Sequence, residues 1–302
     1  MNPDDSLIPR TPVGDWAESG IDWLTQNASG LFDLISTMFN FLVGNLTYGL
    51  TALEPLVMIV ILALIAWIVR SWKLALGTAL TFLLVLSMEQ WVHMMETMAL
   101  VLVATVIAVL IAVPVGILAA RNRVVSSIVR PGMDFMQTMP AFVYLIPAVT
   151  FFSIGVVPGM VATIIFALPP GVRMTELGIR QVDGETVEAG EAFGASPWQI
   201  LRGIQLPLAV PTIMAGVNQV IMLSLSMGVI AGMIGAPGLG KEVVAAISSL
   251  DLALGVEAGL GVVILAVYLD RLTAALGDRG SYTGSLLAAI QRARARRLTP
   301  TT

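Results

Sequence analysis

From Thr97 to Ala120 the chain reads TMALVLVATVIAVLIAVPVGILAA, without one charged side chain. At about 1.5 Å of rise per residue, such a run is long enough to cross the roughly 30 Å hydrocarbon layer of a bilayer. In lipid every backbone N–H and C=O must be satisfied inside the protein, so only helices and closed barrels can span. Comparable runs recur: 57% of the 302 residues are hydrophobic and only 12% charged, against about 25% charged in soluble domains. These features point to an all-α polytopic membrane protein, with length counting spans rather than globular domains.

Seven spans are expected, near 55–69, 73–88, 97–120, 138–154, 159–177, 210–234 and 253–276. The first two form a short hairpin joined by the turn RSWK. In the fifth, Pro169 and Pro170 remove backbone donors and should kink the helix. Ahead of the spans, residues 1–30 read as an irregular polar arm holding Asp4, Asp5, Asp15, Glu18 and Asp22, with no secretory signal. Residues 31–50 place Leu31, Leu34, Ile35, Met38, Leu42 and Leu46 at helical spacing but also carry Asp33, Asn40 and Asn45, which suits a helix lying in the interface. The expected division is 1–54 for the external arm and interfacial helix, 55–96 for an additional hairpin, 97–276 for the main membrane core, and 277–302 for a basic tail.

Of the 16 Lys and Arg residues, this map puts all but Arg10 and Lys241 on one side. That side is therefore cytoplasmic, the N-terminus outside and the C-terminus inside. The stretch GAPGLGKE at 235–242 nearly spells the phosphate loop G-x-x-x-x-G-K-[ST], but Glu242 stands where a Ser or Thr should hold Mg²⁺. It also follows a membrane helix and falls on the outer side, away from cytosolic ATP. It reads as a flexible turn with glycine where φ and ψ are unusual. No cysteine and a single His exclude thiolate and multi-His metal sites, and no nucleophile–base motif suggests an enzyme.

The largest cytoplasmic loop, 178–209, reads as two short helices. Asp183 caps the first, with Glu185, Glu188 and Glu191 following. Gly194 stops it, and Ser196, Pro197 and Gln199 start the second as a capping box with Pro at the first position. Pro207 and Pro211 end that helix and lead into the sixth span. Ala189, Ala192, Phe193 and Trp198 are apolar groups on this loop and need a surface to bury against.

The segment EAGEAFGASPWQILRGIQLP resembles the EAA signature of ABC-importer permeases. Glu188, Ala189, Gly194, Ile204, Leu206 and Pro207 fall at the signature's spacings, while Gly190 stands where Ala is usual. With MQTMPAFVYLIPA at 136–148, PLAVPTIMAGVNQVIMLSLSM at 207–227 and the following GLG, the chain is similar to the glycine betaine/proline betaine branch over about 73–276. The resemblance implies a MetI-like fold of a type I importer, with 97–276 as the permease core and Glu188, Ala189, Gly190, Gly194, Ile204, Leu206 and Pro207 at the contact with a cytoplasmic ATPase. That ATPase would carry the ATP and Mg; no cofactor is expected in this chain. The other implied partners are an external substrate-binding protein, separate because the chain ends soon after the seventh span, and a second copy of the chain. Lipid is the surrounding medium, and nucleic acid is not a partner.

A translocation path is expected along the fourth and sixth spans. Gln137, Thr138, Asn218, Gln219, Ser224 and Ser226 supply polar groups at membrane depth, and Phe142 and Tyr144 supply aromatic faces. Ser and Thr can also satisfy themselves on helix carbonyls. His93, with Glu89 and Glu96, reads as a solvated outer loop. Trp67, Trp72 and Trp91 read as interfacial anchors, and 292–297 as a basic segment on anionic lipid. Choline, carnitine or another small solute stays open as cargo. A secondary transporter without an ATPase stays open as a class, with Glu257 the one span residue that could support ion coupling.

Overall fold

The computed structural model describes residues 11–277; the basic tail beyond Gly277, with 292–297, and residues 1–10 lie outside the described residues. All regular elements among the described residues are helical. They are α1 (Val13–Asn27), α2 (Ser29–Thr51), α3 (Pro55–Val69), α4 (Trp72–Ser87), α5 (Trp91–Arg121), α6 (Arg123–Thr138), α7 (Leu145–Phe152), α8 (Val156–Arg180), α9 (Gly184–Ala192), α10 (Pro197–Ile200), α11 (Leu206–Ile230), α12 (Leu239–Ser249) and α13 (Leu252–Gly277). Four helical paths are long and apolar enough to span alone: α5, α8, Pro197–Ile234 and α13.

The core is α5, α8 and α11. Ala104, Ala108 and Ala112 on α5 are fully buried, and at Gly171 of α8 an added Cβ would lie 2.8 Å from Ala112 Cβ. Small residues let membrane helices approach closely, which compensates for the weak apolar driving force between helices in lipid. A second cluster joins α3, α4, α5 and α13 through Leu62, Phe82, Trp91 and Tyr268; the Tyr268 hydroxyl donates to Leu62 O at 3.2 Å. Trp91 is 3% exposed there, so it is a core residue and not the interfacial anchor its composition suggested.

Several expectations need correction. The polar arm is not irregular, because 13–27 forms α1 with Asp15 in its first turn, where an acid suits the helix dipole. The segment expected as an interfacial helix over 31–50 is α2, a longer helix that meets α3 at a 104° bend. Its Phe32 ring stacks on Phe151 at 4.8 Å and meets Phe152 edge-on at 5.3 Å. The fourth span is not one helix over 138–154. Instead α6 and the segment Ala141–Phe152 are bent by 108°. Pro140 explains the elbow: it disfavours helical geometry at the residue before it, and Met139 adopts ψ 130°. The fifth span stays helical through Pro169 and Pro170 without a break.

The second loop helix does not stop at Pro207 either. After α10 the chain takes one wide turn over Leu201–Gln205, closed by Leu206 N–H to Leu201 O, and continues into α11. A π-type turn absorbs the donor that proline lacks. His93 lies not in a loop but in the first turn of α5, its Nδ1 3.3 Å from Glu96 Oε2 and its Nε2 3.6 Å from Glu242 Oε1.

The stretch 235–242 is the largest reversal. Gly235 and Gly238 do take positive φ, 82° and 116°, but the turn is a packed corner and not a flexible one. Ala236 is 1% exposed and Leu239 fully buried. Leu239 N–H donates to Thr97 Oγ1 at 2.8 Å. A Cβ on Gly232 would meet the Gly240 carbonyl carbon at 2.3 Å, so the glycines are where backbone passes backbone. No strand precedes them, and Gly240 lies inside α12, so a phosphate cradle is not formed.

Candidate functional site

The two ends of the bundle are distinct. At one end Gly155 N–H donates to Ile234 O and Thr97 holds Leu239. At the other, Arg180 Nη2 donates to Ala119 O at 2.8 Å and Arg70 Nη1 to Arg271 O at 3.2 Å. The hairpin of α9 and α10 emerges at this second, arginine-rich end.

Its construction is local. Asp183 Oδ1 accepts from Glu185 N–H at 2.9 Å, satisfying one orphan donor of α9. At the other end Gly194 takes φ 78°. Gly194 N–H reaches Glu191 O at 2.8 Å and Ala195 N–H reaches Gly190 O at 3.1 Å, the paired bonds of a Schellman stop. Ser196 and Gln199 then close the capping box: Ser196 N–H donates to Gln199 Oε1 at 2.7 Å and Gln199 N–H to Ser196 Oγ at 3.4 Å. The corner angle is thus fixed by hydrogen bonds within the hairpin itself.

The motif residues divide into two groups. Ile204 and Leu206 are partly buried toward the bundle, and Gly190 packs against Ile204 and Ile200: a Cβ there would lie 2.7 Å from Ile204 Cδ1 and 3.6 Å from Ile200 Cγ1. An alanine at this third motif position would need the flexible tip of Ile204 to shift. Glu188, Ala189, Gly194 and Pro207 are exposed. Beside them Phe193 is 93% exposed and Trp198 59% exposed. Two large aromatic side chains on a rigid corner, with no cover among the described residues, form a surface fit for a partner.

The eight path candidates are not brought together within one chain. Gln137, Thr138 and Phe142 flank the elbow and are exposed, as are Gln219 and Ser226 on α11. Thr138 and Ser226 spend their hydroxyls on Phe135 O and Met222 O. Tyr144 is turned inward: its hydroxyl donates to Met136 O across the Pro140 elbow, and its ring meets Phe166 edge-on at 5.9 Å. It staples the elbow and does not offer an open aromatic face. Ser224 is fully buried, and its hydroxyl has no hydrogen-bond partner among the described residues.

Asn218 faces α13, where Nδ2 donates to Asp270 Oδ1 at 2.9 Å and Oδ1 accepts from Thr273 Oγ1 at 2.6 Å. Asn218 and Thr273 line a cleft of about 260 Å³. Asp270 is a polar residue of the seventh span that sequence reasoning missed; its place in the apolar run 253–276 was the available signal. The Glu257 side chain, by contrast, forms no hydrogen bond or ion pair among the described residues.

Residues 112–280 match the family described as binding-protein-dependent transport system inner membrane component. Among full-length relatives, the glycine betaine transport system permease protein OpuAB of Bacillus subtilis is 48% identical over 266 residues, 88% of this chain and 94% of that one. The glycine betaine/carnitine transport permease protein GbuB of Listeria monocytogenes is 47% identical over 90% of this chain and 98% of its own length. The glycine betaine/proline betaine transport system permease protein ProW of Escherichia coli is 46% identical over 88% of this chain and 75% of its own. Among solved structures, an inward-facing MetNI methionine ABC transporter aligns with a TM-score of 0.52 at 26% identity, covering 61% of this chain and 90% of that chain.

Proposed function

This chain belongs to the family of inner membrane components of binding-protein-dependent transport systems, and from that membership we propose that it moves glycine betaine or a closely related quaternary ammonium solute into the cell. Its fold is the MetI-like all-α architecture. The cargo assignment is supported by the glycine betaine transport named for relatives matched over nearly their whole length. The coupling assignment rests on one observation above the others: a corner held rigid by its own caps presents Phe193 and Trp198 to solvent.

In this reading a separate ATPase seats the α9–α10 hairpin and supplies ATP and Mg²⁺ chemistry from its own residues. The hairpin's continuity with α11 through the wide turn at Leu201–Gln205 carries its displacement directly into a spanning helix, a rigid-body shift of one packed element against another. The exposed Gln137, Thr138, Phe142, Gln219 and Ser226 line the path once a second copy closes over them. An external binding protein delivers the solute, whose charges are too costly to strip of water in hydrocarbon. The arginine-rich end is cytoplasmic by the positive-inside rule, which leaves the N-terminus outside.

Reconstitution of the chain with its cognate ATPase and binding protein in proteoliposomes tests this. ATP-dependent accumulation of labelled glycine betaine is expected. Uptake driven by an ion gradient without the ATPase would instead establish the secondary-transporter reading.

A further inference from the structure

Among its own residues α6 buries only Ser126, so apolar packing does little to fix this helix. What holds it is polar. Glu176 of α8, whose side chain is 4% exposed, accepts from Ser126 Oγ at 2.8 Å, from Arg130 Nη2 at 2.9 Å and Nε at 3.4 Å, and has Arg180 Nε at 2.9 Å. Arg180 in turn holds Ala119 O at the end of α5. Arg173 and Asp134 form a second tie between α8 and α6, and the charged groups line a cleft of about 320 Å³. One buried carboxylate therefore fastens the ends of α5, α6 and α8 together, one turn before α8 gives way to the hairpin.

The other end of α6 is the Pro140 elbow, stapled by Tyr144 to Met136 O, where Gln137, Thr138 and Phe142 stand. We infer that Glu176 is a positioning residue that makes α6 move with the hairpin end of α8, so that displacement of the hairpin reaches the elbow. The inference rests on the transport reading above. Charge-assisted hydrogen bonds are short and directional, and a buried carboxylate stripped of its partners is strongly destabilised. The tie therefore resists slipping where a sparse apolar contact would not. A carboxylate serving stability alone would leave the coupling of hydrolysis to uptake untouched once the complex is assembled.

The test uses the whole complex with its ATPase and binding protein, comparing Glu176→Gln, Arg130→Gln and Glu176→Asp with the wild type at equal assembled amounts. Glu176→Gln keeps the side-chain shape and an acceptor for Ser126 but removes the charge. For it and for Arg130→Gln, uptake per ATP hydrolysed is expected to fall about fivefold or more while stimulated hydrolysis continues, with Glu176→Asp recovering part of the ratio. Arg130 is 58% exposed, so Arg130→Gln carries the prediction even if Glu176→Gln fails to assemble. An unchanged ratio in the assembled variants, or uptake and hydrolysis falling in proportion, overturns the inference and leaves the transport reading standing. Absence of ATP-dependent uptake by the wild-type complex rejects that reading and this inference with it.

Discussion

The corner at 232–240 and the corner at 190–198 both turn on glycine at positive φ, Gly235 and Gly238 in one and Gly194 in the other. Their surroundings are opposite. At 232–240 the chain is drawn inward: Ala236 and Leu239 are buried, Thr97 holds Leu239 N–H, and backbone passes backbone at Gly232 and Gly240, although Met233 stays exposed. At 190–198 the hydrogen bonds are spent within the hairpin, and Phe193 and Trp198 point away from the chain. Glycine therefore does two jobs. In the first corner it permits close packing that completes the bundle; in the second it shapes a surface that the bundle does not use.

The comparison is broken most severely at Gly232. A Cβ there meets the Gly240 backbone, which has no rotamer to give way. Gly232→Ala is expected to destabilise the protein by about 3 kcal/mol or more, read as lost yield and a lowered melting midpoint in detergent. A smaller effect of a different kind is expected from Phe193→Ala and Trp198→Ala. Stability should change by less than about 0.5 kcal/mol, while affinity for the ATPase falls by about 2 kcal/mol for each if these are the anchors of that contact. Melting curves and pull-down titration separate the two. Smallest is Gly190→Ala, because the atom it meets is the flexible tip of Ile204. A loss under about 1 kcal/mol is expected, relieved by Ile204→Val, which removes that tip.

What could be read from the sequence follows the range of the forces involved. The spans at α5 and α13 were legible because an apolar run has few alternatives in lipid, whereas α3 at 15 residues is too short to span alone. The caps at Asp183, Gly194, Ser196 and Gln199 were legible because each acts within four residues of itself. Missed were pairings set by tertiary structure: Asn218 with Asp270 lies across 52 residues and Ser126 with Glu176 across 50. The elbow at Met139 and Pro140 was hidden by the apolar residues around it, although Pro140 was itself a visible signal. At Gly235 and Gly238 the turn chemistry was recognised, but the packing of Gly240 inside α12 depends on Val229, whose carbonyl oxygen would lie 2.4 Å from an added Cβ. No local pattern announces that contact.

The most direct test of where energy enters uses the absence of cysteine from the sequence. Phe193→Cys and Ile247→Cys each introduce one reactive thiol, at side chains 93% and 69% exposed in the isolated chain. With a membrane-impermeant thiol reagent added outside intact cells, Ile247→Cys should be labelled and Phe193→Cys protected. A thiol-directed cross-linker in inside-out vesicles should then join Phe193→Cys to the ATPase. Labelling of Phe193→Cys from outside, or cross-linking of the ATPase to Ile247→Cys and not to Phe193→Cys, would contradict entry of ATP energy through the α9–α10 hairpin.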